Sequence, residues 1–91
     1  MAVYMLSYDL RIPGRKYETL YDSLRKLGAV PALESVWFLE NPYTATQIRD
    51  TLMTLLDKND GLAVIEIHKD AAWAATGMIG QSTAWMKQRR P

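Results

Sequence analysis

Asp9 closes an apolar run and is followed by Leu10-Arg11-Ile12-Pro13-Gly14-Arg15-Lys16. A carboxylate at a strand end, beside a glycine-containing basic loop, has the chemistry to hold a hard divalent cation (Mg2+ or Mn2+) and to contact phosphate. In a symmetric dimer, two copies of Asp9 would share one such ion. The same carboxylate also serves simply by accepting hydrogen bonds from the loop backbone. Arg11, Arg15 and Lys16 are the nucleic-acid-binding candidates. Doubled in a dimer they would neutralise about six phosphates and give a moderate, salt-sensitive grip. A solvated loop balanced by Glu18 and Asp22 accounts for the same residues. His68 is the sole histidine. It has the basicity to deprotonate a 2′-hydroxyl, with Tyr8 or Ser35 assisting, although a lone histidine at a strand end is more often an ordinary surface or interface residue. Glu34, Glu40 and Glu66 complete the acidic candidates near the sheet. The chain has no cysteine, so any metal site is all-oxygen and suits magnesium or manganese rather than zinc.

The elements that must position these groups follow from periodicity and turn chemistry. Residues 2–9 are rich in strand formers. Alternation puts Val3, Met5, Ser7 and Asp9 on one face and Tyr4, Leu6 and Tyr8 on the other. Both faces are largely apolar, which predicts a central strand covered on both sides. Pro13-Gly14 breaks the chain before a helix from Lys16 to Leu27. Its stripe is Tyr17, Leu20, Tyr21, Leu24 and Leu27, and Gly28 stops it. Residues 29–40 form one bent strand or two short ones meeting near Glu34 and Ser35. Thr44-Ala45-Thr46-Gln47 has the pattern of a capping box and opens a second helix with Ile48, Leu52, Leu55 and Leu56 on its buried side. Asp57 to Gly61 is a turn, and Leu62 to His68 a strand. The tail from Lys69 is less regular. Ser82 is placed to cap a short helix, and Trp73 and Trp85 to pack on the body. The basic end, Lys87, Arg89 and Arg90, reads as solvated.

Strand, helix, strands, helix, strand is the order of an α+β sandwich, with ferredoxin-like topology the expectation: an antiparallel sheet with two helices on one face. A chain of 91 residues is one domain by length, and so short a domain leaves roughly 35–40% of its unfolded surface exposed. The face opposite the helices is then expected to be open and apolar, with Val3, Met5, Trp37 and Leu39 on it. A homodimer meeting there is the simplest way to cover it. A formal net charge of +1 and a pI of about 8.0 do not demand a nucleic-acid partner. The first apolar run is too short for a signal peptide, and no run suits a membrane span. The expectation is a cytoplasmic protein without a membrane partner.

Certain segments carry a resemblance. They are Leu6-Ser7-Tyr8-Asp9-Leu10, Pro13-Gly14, Tyr17, Leu20-Tyr21, Glu34-Ser35-Val36-Trp37, Gln47-Ile48-Arg49-Asp50, Asp57-Lys58-Asn59-Asp60, Ala71-Ala72-Trp73 and Trp85-Met86-Lys87. With these the chain resembles the SinR-like proteins, relatives of the small CRISPR-associated nucleases of spacer adaptation and of the VapD toxins. The resemblance implies a ferredoxin-like βαββαβ domain with residues 29–40 split into two strands, a homodimer, and Asp9 as metal ligand at the dimer axis. It departs where the CRISPR branch often carries further acidic residues in the loop and this chain has Arg11 and Arg15. The function expected is a nucleic-acid- or protein-binding module, with a metal-dependent endonuclease as the alternative.

Overall fold

A computed structural model describes residues 1–12 and 17–91 of the chain. The Pro13-Gly14 breaker and the cations Arg15 and Lys16 lie outside the described residues. The elements run β1 (Ala2–Asp9), α1 (Glu18–Lys26), β2 (Val30–Leu33), β3 (Val36–Asn41), α2 (Ala45–Met53), β4 (Gly61–Ile67) and α3 (Ser82–Arg89). They make an α+β fold with one four-stranded sheet, in the order β2-β3-β1-β4. Each neighbouring pair is antiparallel.

Local chemistry sets most element ends. Gly28 takes a φ of 85°, a left-handed conformation that only glycine adopts without strain. There the Gly28 N–H donates to Arg25 and the Ala29 N–H to Leu24, satisfying the last carbonyls of α1. The capping box at α2 forms as expected. The Gln47 N–H donates to Thr44 Oγ1, and the Thr44 N–H donates to Gln47 Oε1. Residues 29–40 divide into β2 and β3, joined at Glu34-Ser35.

Two apolar layers enclose the sheet. On one face Tyr4, Leu6, Tyr8, Trp37 and Leu39 pack with Tyr17, Leu20 and Leu24 of the α1 segment and with Ile48 and Leu52 of α2. On the other face Val3 and Phe38 pack with Ala32 and Met86, and Met5, Ile67, Trp73, Met78 and Trp85 surround them. The expected open face is therefore wrong in two respects. Register pairs Leu39 with Tyr4 and Trp37 with Leu6, so Trp37 and Leu39 lie opposite Val3 and Met5, under the helices. The tail, meanwhile, docks on the face left to Val3 and Met5, and Val3 is 0% exposed.

The basic tail is also less free than the sequence suggests. Arg89 donates to Glu40 and lies 3.9 Å from the Trp85 ring centroid. Arg90 donates to the Ile67 carbonyl, and the Trp73 indole donates to the Arg90 carbonyl. Ser82 is buried one residue inside α3, its hydroxyl donating to Ile79, while Gln81 holds the cap position.

Candidate functional site

Asp9 ends β1, where the strand leaves the sheet, and its side chain is 68% exposed. Arg11 Nε donates to Asp9 Oδ2 at 2.9 Å, and Arg11 Nη1 donates to the Asn59 carbonyl at 3.0 Å. The Arg11 backbone N–H donates to Asp60 Oδ1 at 2.8 Å, and the Tyr17 hydroxyl reaches the same oxygen at 3.0 Å. Asp60 Oδ2 accepts from the Asp57 N–H, and Asp57 Oδ2 accepts from the Asn59 N–H. The acidic 57–60 turn thus receives the strand-end loop. Gly61 permits the close approach: a Cβ there would stand 3.1 Å from Arg11 Nη2. Sequence reasoning took Asp57–Gly61 only as a turn. Its three acceptor side chains within four residues were the available signal that it binds something basic.

Tyr8, Asp9, Leu10, Tyr21, Glu34 and Ser35 line a cleft of about 320 Å³ at this end of the sheet. Tyr8 and Asp9 are sequence neighbours on a strand and point to opposite faces, so the cleft wraps the sheet end rather than converging their polar atoms. The Tyr8 hydroxyl accepts from the Trp37 indole at 3.2 Å and donates to the Glu34 carbonyl at 3.3 Å. Burial pushes the phenol above its ordinary value, against the opposing pull of the Trp37 hydrogen bond. Tyr8 is therefore a protonated donor at neutral pH, not a base. Tyr21 stacks on Trp37 with centroids 6.4 Å apart, and Arg25 lies over the other aromatic partner at 5.6 Å from the Trp37 ring.

His68 does not join this group. Ile67 pairs with Val3 and Gly61 with Asp9, so His68 and Asp9 sit at opposite ends of the sheet, about 20 Å apart at ~3.3 Å per residue. His68 instead faces Glu66, its Nδ1 3.7 Å from Oε2. The three glutamates do not cluster either. Glu34 is in the β2–β3 turn, Glu40 holds Arg89 on the tail-covered face, and Glu66 alternates to the helix face. Of the basic loop, Arg11 alone is among the described residues.

Among the described residues no group of at least three histidine, aspartate or glutamate side chains is placed to hold a metal ion, and the Asp9 carboxylate is already bonded to a guanidinium. Among the described residues, no helix is long and apolar enough to cross a membrane. No protein-family profile matches the chain, and no solved structure matches it at a significant level.

Proposed function

We propose that this chain is a cytoplasmic nucleic-acid-binding module with ferredoxin-like βαββαβ topology, acting as a homodimer in the manner of the SinR-like proteins it resembles. The strand order β2-β3-β1-β4, with antiparallel neighbours and two helices against one face, is compatible with that topology. One observation carries the binding reading. Arg11 is held in place by Asp9 and the Asn59 carbonyl, yet its side chain stays 56% exposed. A guanidinium has five N–H donors, so Nη1 and Nη2 keep hydrogens for a phosphate at a fixed cation. Arg15 and Lys16 add charge within five residues of Arg11 in the sequence.

The test is anisotropy with labelled RNA and duplex DNA across a salt series. Arg11→Ala should weaken binding roughly tenfold, the loss of one charge-assisted contact, with affinity falling as salt rises. If Arg11→Ala binds as the wild type does, nucleic acid is not held there, and a protein partner becomes the better reading.

The presence of Tyr8, Asp9 and Ser35 around one cleft at the sheet end favours a second reading, a Mg2+- or Mn2+-dependent endonuclease acting on RNA or DNA. In this reading the metal would be held by Asp9 from both copies, beside a cleft that Glu34 also lines. Cleavage of labelled RNA or DNA by wild type with Mg2+ or Mn2+, lost in Asp9→Ala, supports it. Absent cleavage, or cleavage equal in the variant, removes it.

A further inference from the structure

The cleft of about 320 Å³ at the sheet end is lined by groups that the fold commits unequally. The backbone of its β2–β3 turn is fixed. The Tyr8 N–H donates to the Ser35 carbonyl at 3.1 Å, and the Tyr8 hydroxyl to the Glu34 carbonyl at 3.3 Å. The side chains of the same turn are left over. Among the described residues, neither the Glu34 carboxylate nor the Ser35 hydroxyl has a hydrogen-bond or ion-pair partner. Asp9, the other carboxylate of the cleft, is taken by Arg11. Burial raises the Tyr8 phenol, and the Glu34 carboxylate is close enough to add to that rise. Tyr21 supplies an aromatic wall. Its ring is half-buried, with Trp37 stacked at 6.4 Å and Tyr8 tilted against it at 6.2 Å.

Charge decides what such a cleft admits. An uncommitted carboxylate repels phosphate and accepts from N–H donors. The cation for a phosphate is Arg11, tied to the cleft through Asp9 at 2.9 Å. A nucleotide seated here therefore puts its phosphate on Arg11 and its base against Glu34. Guanine is the base whose Watson–Crick edge carries two adjacent donors, N1–H and the 2-amino group, matching the two oxygens of a carboxylate. Its neighbouring O6 is an acceptor, to which the Ser35 hydroxyl can donate. Adenine and cytosine set a ring-nitrogen acceptor beside their amino group, and uracil flanks its N–H with carbonyls. Each would aim a lone pair at the carboxylate.

We infer that the cleft binds an unpaired guanine, with Glu34 on its Watson–Crick edge, Ser35 at O6 and the Tyr21 ring against its face. That edge is occupied in a duplex, so the base comes from a single strand or a loop. Aromatic rings and exposed Watson–Crick edges are the usual means of recognition there. The inference rests on the nucleic-acid reading above and adds a base to it.

Anisotropy with labelled oligouridines of about ten nucleotides, carrying one central guanine, adenine, cytosine or uracil, reads the base directly. Wild type should bind the guanine strand about tenfold or more tighter than the other three, the discrimination of one bidentate contact. Inosine in place of guanine removes only the 2-amino group and should cost severalfold, with the protein unchanged. Glu34→Gln exchanges an acceptor oxygen for an NH2 donor at an exposed turn position. It should bring the guanine strand within about twofold of the uracil strand, because the bidentate match is gone. Arg11→Ala should weaken all four strands alike, as loss of a phosphate contact does. Four strands bound equally by wild type, or a guanine preference kept in Glu34→Gln, overturn the guanine site and leave the Arg11 reading standing. Binding to duplex DNA alone does the same. Wild type that binds no RNA and no DNA overturns both.

Discussion

Arg11 is the residue whose surroundings change most between sequence and structure. The side chain of a loop cation becomes the hinge pin between the end of β1 and the 57–60 turn. Exposed ion pairs of the Asp9–Arg11 kind contribute about 0–1 kcal/mol to stability, so the contact positions the guanidinium more than it holds the fold. Two buried phenols make a different contribution. Burial raises both Tyr4 and Tyr8, with Glu66 adding to the rise at Tyr4. A raised folded-state value means stability fully present below the unfolded phenol value near 10 and lost as pH climbs through the folded one. Thermal melts should therefore fall in temperature above about pH 10, and a Tyr4→Phe/Tyr8→Phe double variant should show a shallower alkaline decline. An equal slope in both proteins counts against the assignment. Tyr8 and Asp9 were legible as candidates because they end a strand. The partners of Tyr8, Trp37 and the Glu34 carbonyl, were not, since both lie more than twenty residues away.

At the scale of elements, the best-written signal is the start of α2. Both hydrogen bonds of its capping box are present, and Thr44→Ala should destabilise the fold by about 1 kcal/mol in urea denaturation. A change below a few tenths of a kcal/mol would show that water replaces the cap. The least legible element is α3. Its mixed surface gives no clear stripe, yet Met86 is 1% exposed between Val3, Ala32 and Phe38. Met86→Ala should cost about 2–5 kcal/mol, as truncation of a buried side chain does. An effect within 0.5 kcal/mol would mean that α3 is not anchored there. Element boundaries shifted slightly from expectation, with α1 spanning Glu18–Lys26 and β4 spanning Gly61–Ile67. Such ends are set by the last hydrogen bonds, which composition does not encode to the residue.

On the scale of the whole molecule, what decides the surface is how the tail is spent. Laid over Val3 and Phe38, it closes one face of the sheet and shields the β2 edge through Ile79. The other edge of the sheet is β4. The sequence alone determined what is local: the central apolar strand ending in Asp9, the Gly28 stop and the capping box. Each depends on residues within a turn or two of one another, so their chemistry is written contiguously. Tertiary structure alone decided that Trp37 and Leu39 lie opposite Val3, that the tail covers Val3, that Arg11 docks on the 57–60 turn, and that His68 is remote from Asp9. All four depend on strand register and docking between distant segments, and a one-residue shift in register turns every side chain of a strand to the other face.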